Sequence, residues 1–183
     1  MKISAIGASV AVVVASVASA DVTYTFTNQA WAGYSFTSAF GAGTLTGSIT
    51  AVKANATLDA QTIETYASDL CIYVAYNPIA LGGLLQAGGF SNLQASQRVW
   101  WTNGGSSAPG TVVSSTRFLN TAISMAANPN AIVWVGNGYA GASAGTWTGT
   151  ITLVGVELAP VPAPGAVALL GLAGAIGGRR RRA

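Results

Sequence analysis

The chain has no histidine and one cysteine, and only 7% of its 183 residues are charged. The missing histidine removes the Ser-His-Asp triad, the Cys-His pair and the common zinc and non-haem iron sites. A single cysteine makes no internal disulfide, so an exported domain of this sequence is held by its core alone. With no histidine to activate it, Cys71 reads as a small buried hydrophobe in the apolar strand Leu70 to Tyr76. Long amphipathic helices are absent too, which argues against coiled coils and charge-rich helical proteins. The few charges are uneven: Lys2 and Arg179, Arg180, Arg181 and Arg182 lie near the ends. Between Asp21 and Pro164, three cations face five acids. The basic footprint of a nucleic-acid binder is therefore missing from the middle of the chain.

What is present is glycine, 23 residues, together with threonine in alternation with apolar residues. Val22-Thr23-Tyr24-Thr25-Phe26-Thr27 places apolar side chains on one face and hydroxyls on the other, the pattern of a half-buried strand. Period-two stretches recur over Leu45 to Ala51, Leu70 to Tyr76, Ile132 to Gly136 and Trp147 to Leu158. Turn formers separate them at Asn77-Pro78, Asn103-Gly104, Asn128-Pro129 and Asn137-Gly138. Short helices are expected only around Asn92 to Arg98 and Thr121 to Ala127. Gly82-Gly83 and Gly88-Gly89 lack the order of a phosphate loop and read as flexible turns. The pattern predicts an all-β fold over residues 21–158, an antiparallel β-sandwich of jelly-roll type, in which threonines supply polarity without charge. Gly43 to Val52 and Gly145 to Val154 agree at seven of ten positions, and either mark two equivalent strands or reflect a biased composition.

Chemistry-bearing residues are few. Arg98-Val99-Trp100-Trp101-Thr102-Asn103, read as a strand, sends its two indole rings to opposite faces. One ring then fills the core, and the other, beside Arg98 and Asn103, either stacks on a sugar or packs under the following loop. Glu64 and Asp69 flank a loop and supply the hard oxygens that calcium requires, without an EF-hand spacing. The acids Asp59, Glu64, Asp69 and Glu157 also leave open a glycosidase or lyase built on a carboxylate pair. The leading expectation is a protein that is not an enzyme and carries no cofactor.

The two ends carry addresses. Lys2, the apolar run Ala5 to Val17 and Ala18-Ser19-Ala20 form a secretory signal over residues 1–20, with cleavage expected between Ala20 and Asp21. Residues 159–183 join a proline spacer to fourteen apolar residues, Gly165 to Gly178, and then to the arginine run. A helix of fourteen residues rises only about 21 Å, short of the roughly 30 Å hydrocarbon core, which favours a transient stop over a permanent anchor. Val161-Pro162-Ala163-Pro164, the short transmembrane-type helix and the arginines resemble the PEP-CTERM sorting domain recognised by exosortases, with alanine where that family carries the acid of Pro-Glu-Pro. The resemblance implies a bacterial envelope or extracellular-matrix protein held briefly in the inner membrane, cut near Pro164 by an exosortase-like membrane protease and released to the surface. There it would be structural or adhesive in exopolysaccharide, or would act as a carbohydrate-binding module. The rival reading of the same tail is a simple membrane anchor. Tyr66 to Val74 and Gly145 to Gly149 resemble the jelly-roll P domain of secreted convertases.

Overall fold

The computed structural model describes residues 21–76 and 81–160. The signal sequence, the Asn77-Pro78 turn and the sorting signal, including its apolar helix, lie outside the described residues. Nine strands follow one another: β1 (Val22–Ala32), β2 (Phe36–Phe40), β3 (Leu45–Thr62), β4 (Leu70–Ala75), β5 (Leu85–Gly88), β6 (Gln97–Val99), β7 (Val112–Ser124), β8 (Ile132–Asn137) and β9 (Ala144–Leu158). They form two sheets, ordered β1-β9-β3-β7 and β2-β8-β4-β5-β6. One 3-10 turn, Ala67–Asp69, precedes β4. Among the described residues no helix is long and apolar enough to cross a membrane.

The sheets face each other across a single core. Phe26 and Trp31 from β1, Val52 and Leu58 from β3, and Trp147 and Ile151 from β9 meet Leu70, Ile72 and Val74 of β4 and Val133 and Val135 of β8. The alternation over Val22 to Thr27 survives: Phe26 is buried, Tyr24 half-buried, and Thr23, Thr25 and Thr27 face outward, and a bulge after Phe26 then turns Trp31 into the core. On that outer face the Thr23 and Thr152 hydroxyls meet at 2.8 Å. Nearby, Lys53 pairs with Asp21 at 2.8 Å. In β4 the alternation disappears because every residue is buried. Leu70, Ile72 and Val74 enter the main core, whereas Cys71, Tyr73 and Ala75 pack beneath Leu93, Phe36 and Trp134 on the other face. Burial pushes the Cys71 thiol well above its usual range, so it stays protonated and unreactive.

Several sequence expectations are corrected. The helix expected near Thr121 to Ala127 is instead the end of β7, with Ile123 paired to Ile49, followed from Met125 by a turn. Sheet pairing there overrides a weak local preference. Asn92 to Arg98 is loop followed by β6. The Leu93 N–H goes to the buried Gln86 Oε1 at 2.9 Å, and Gln94 sits at φ +53°, so no helix starts. The fold is not purely antiparallel, since β5 and β6 run parallel. Three strands, β2, β5 and β7, were not anticipated, the strand read over Arg98 to Asn103 is only the short β6 ending at Val99, and β3 continues to Thr62 rather than stopping at Ala51. The two similar ten-residue segments lie on β3 and β9, antiparallel neighbours at the centre of one sheet.

Candidate functional site

At one end of the two sheets the loops Thr62–Asp69, Gly88–Ser91, Trp100–Gly105 and Asn137–Ser143 converge. They enclose two adjoining hollows. The larger, about 220 Å³, is lined by Tyr66, Asp69, Phe90, Trp100, Trp101 and Asn103 among others. The second, about 190 Å³, shares Tyr66, Asp69 and Phe90 with it and adds Glu64 and Tyr139. Together they make one aromatic cleft.

The two tryptophans part as the strand reading requires, although β6 ends at Val99. Trp101 is 8% exposed and donates its indole N–H to the Leu70 carbonyl at 2.7 Å, forming the floor. Trp100 is 50% exposed and forms a wall. Arg98 lies over the Trp100 ring with its guanidinium carbon 3.9 Å from the centroid. One terminal nitrogen of that guanidinium donates to the Phe90 carbonyl at 2.7 Å and to the Gly89 carbonyl at 3.2 Å. Arg98 therefore braces two aromatic walls from a single cation. Asn103 is exposed at the rim, with its carbonyl oxygen taken by the Ser114 N–H at 2.9 Å.

Asp69 does the same on the opposite side. Its carboxylate accepts the Tyr66 N–H at 2.8 Å and receives a second backbone N–H from Phe90. Burial raises its carboxyl above the ordinary value of 3.8, and the two backbone donors pull back only part of that shift. In the window between 3.8 and the raised value, the folded protein holds a proton that the unfolded chain has released. Stability contributed by this group is thus fully present below that window and is lost as pH rises through it. Asp69→Asn, which keeps an acceptor for the Tyr66 N–H, is expected to flatten this fall. Urea midpoints of wild type and variant, measured from about pH 4 to about pH 7, check the difference in slope.

The Phe90 loop is held from below. The Gln86 side-chain amide donates to Ser91 O at 2.7 Å and Gly88 O at 3.1 Å while its oxygen accepts from Leu93. The glycines here are packed close rather than flexible, correcting the expectation for Gly88-Gly89. Gly88 and Gly89 sit at φ +71° and +75°, and a Cβ on Gly88 would overlap the Trp101 indole nitrogen and Leu70 O. At the other wall, Ile63 and Glu64 both have φ of +50°. A β-branched residue in the left-handed region is strained by about 1–3 kcal/mol. The Thr65 hydroxyl donates to Thr62 O at 2.8 Å across this turn, which brings Glu64 to the cleft edge.

Of the sequence candidates, Arg98, Trp100, Trp101, Asn103, Glu64 and Asp69 are thus gathered in one place. Asp59 instead accepts the Thr148 hydroxyl at 2.6 Å, and Glu157 lies at the exposed end of β9, so neither joins the other two acids. Among the described residues no group of three or more His, Cys, Asp or Glu side chains converges on a metal position. Phe90 and Tyr139, whose rings meet edge-to-face at 5.4 Å, were not anticipated, nor was Tyr66 as a wall. The signal for Phe90 was a large aromatic inside Gly-Gly-Phe-Ser-Asn, a turn sequence with no core to enter. Phe90 is accordingly 65% exposed. The segments that resemble a P domain touch each other, since the Trp147 indole donates to Ala67 O at 3.3 Å. No protein-family model, curated protein or solved structure matches the chain.

Proposed function

We propose that this is an exported bacterial jelly-roll protein that binds polysaccharide in its aromatic cleft and is released to the cell surface or extracellular matrix by an exosortase-type protease. The strand orders β1-β9-β3-β7 and β2-β8-β4-β5 support a jelly roll, with β6 as an addition to the second sheet. The single observation that carries the binding reading is the exposed Trp100 ring, fixed by Arg98 in the wall of a cleft shared with Phe90 and Tyr66. Sugars present apolar C–H faces edged by hydroxyls, and a rigid aromatic wall beside polar groups suits both. An aromatic left half-exposed also keeps its cost in ordering low, because the ring is already held before a ligand arrives.

The test takes the protein from membrane and medium fractions of its native host and measures intact mass and retention on immobilised polysaccharides. The expected medium form begins at Asp21, ends near Pro164 and is retained. Trp100→Ala lowers affinity at least about tenfold, near 1.4 kcal/mol, with an unchanged unfolding midpoint. A membrane form ending at Ala183 as the sole species would overturn the release reading, and no retention on any polysaccharide would overturn the binding reading.

A further inference from the structure

Resting on the glycan reading, we infer that the second half of the cleft, walled by Tyr66, Phe90 and Tyr139 and edged by Glu64, takes an organic ammonium group, the protonated amine of an amino sugar. Three aromatic residues are among the five that line this hollow, and the face of an aromatic ring carries partial negative charge that attracts a cation. Glu64 and Asp69 complete its lining, and no lysine or arginine is among the lining residues.

The cations of the described residues lie outside this lining. Lys53 is paired with Asp21 on the outer face of the first sheet, Arg98 is occupied with Trp100 and the Phe90 loop, and Arg117 lies on β7. Glu64 makes no ion pair among the described residues. The hollow therefore joins an unpaired exposed carboxylate to an aromatic wall, which is complementary to a bulky, weakly hydrated cation. A neutral sugar gains the rings and nothing from the acid. A uronic acid is repelled by it. The glycan class so selected is a chain containing free amines, with one unit seated on Trp100 and an amine-bearing unit carried over Phe90 into the second hollow.

The experiment titrates the full chain, by intrinsic tryptophan fluorescence in mildly acidic solution, with a glucosamine oligomer, the same oligomer fully N-acetylated, and phosphocholine. The expected result is at least about tenfold tighter binding of the free-amine oligomer than of its acetylated form. Glu64→Gln and Phe90→Leu, both at exposed positions, should abolish that preference. Equal affinity for the two oligomers overturns the ammonium inference and leaves the glycan reading in place. Binding of phosphocholine alone, lost in Glu64→Gln, supports an ammonium site and overturns the sugar as its source. Absence of binding to all three overturns the ammonium inference, while the glycan reading stands or falls with retention on the wider set of polysaccharides.

Discussion

Replacing Trp147 with alanine is expected to cost about 4 kcal/mol of folding stability, lowering the urea midpoint by about 2 M for a slope near 2 kcal/mol/M. The ring is fully buried on β9 toward the cleft end of the first sheet, where it packs on Trp31 at a centroid distance of 5.9 Å. Trp31 in turn meets Phe26 at 5.4 Å, so the substitution opens a void in a chain of three rings. It also removes the donor to Ala67 O, leaving that carbonyl to find another partner next to the cleft. The ring closes over Gly145, where any Cβ would overlap it, so the neighbouring backbone cannot refill the space cheaply. Trp147→Phe separates the two contributions, because it keeps most of the packing and deletes only the N–H. Its midpoint should fall between those of wild type and Trp147→Ala. A shift for Trp147→Ala below about 0.5 M would contradict this account of the core.

Gly88→Ala is the second large effect, and it acts on the floor of the cleft rather than on the core. At φ +71° an alanine is strained, and its methyl would meet both the Leu70 carbonyl and the indole nitrogen hydrogen-bonded to it. Left-handed strain of about 1–2 kcal/mol and overpacking of about 1–3 kcal/mol together give an expected loss of about 2–5 kcal/mol. The Trp101 ring must also swing out, which changes its near-ultraviolet circular dichroism and weakens ligand binding alongside stability. Gly105→Ala is the matched control. It sits in the same loop cluster with open space around it, and its midpoint should stay within about 0.5 kcal/mol of wild type.

Strands with one wet face were legible from the residues alone. Val22 to Phe26 and Trp147 to Leu153 alternate because one side of each meets the core and the other meets water. β4 was legible as a strand but not in its burial, since the period-two reading of Leu70 to Tyr76 gives way to an apolar run buried on both faces. The second of those faces is covered by Leu93 and Ala95 of the 89–96 loop, whose surroundings are ordered by the Tyr73 hydroxyl and the Gln86 amide. The Gly83 N–H donates to that hydroxyl at 2.8 Å. Such side-chain capture of backbone groups leaves no periodic trace, so β5 and the placement of Phe90 were hidden. β7 was hidden differently. Thr121-Ala122-Ile123-Ser124-Met125-Ala126-Ala127 has a helical composition, and only pairing with β3, 76 positions from Ser48 to Ser124 along the sequence, makes its first part a strand. The Trp100 and Trp101 pair was readable because two adjacent large rings cannot enter one core from an extended segment. Their companions Tyr66, Phe90 and Tyr139 come from three other loops, and tertiary structure alone brings them together.

The direction in which β9 runs has a consequence for presentation. Trp147 lies beside the cleft loops, while Leu158 pairs with Leu45 at the far end of the sheet, roughly 35 Å away at about 3.3 Å per residue. The chain continues past Ala159, whose N–H is bonded to Thr44 O, from that far end. Val22, opposite Leu153, starts β1 nearer the same end. Any tether acting through the C-terminal residues thus grips the molecule by the pole opposite its aromatic rings. The ring-lined mouth then points away from the anchoring surface, at the full length of the domain, where a long polymer can reach it without steric conflict.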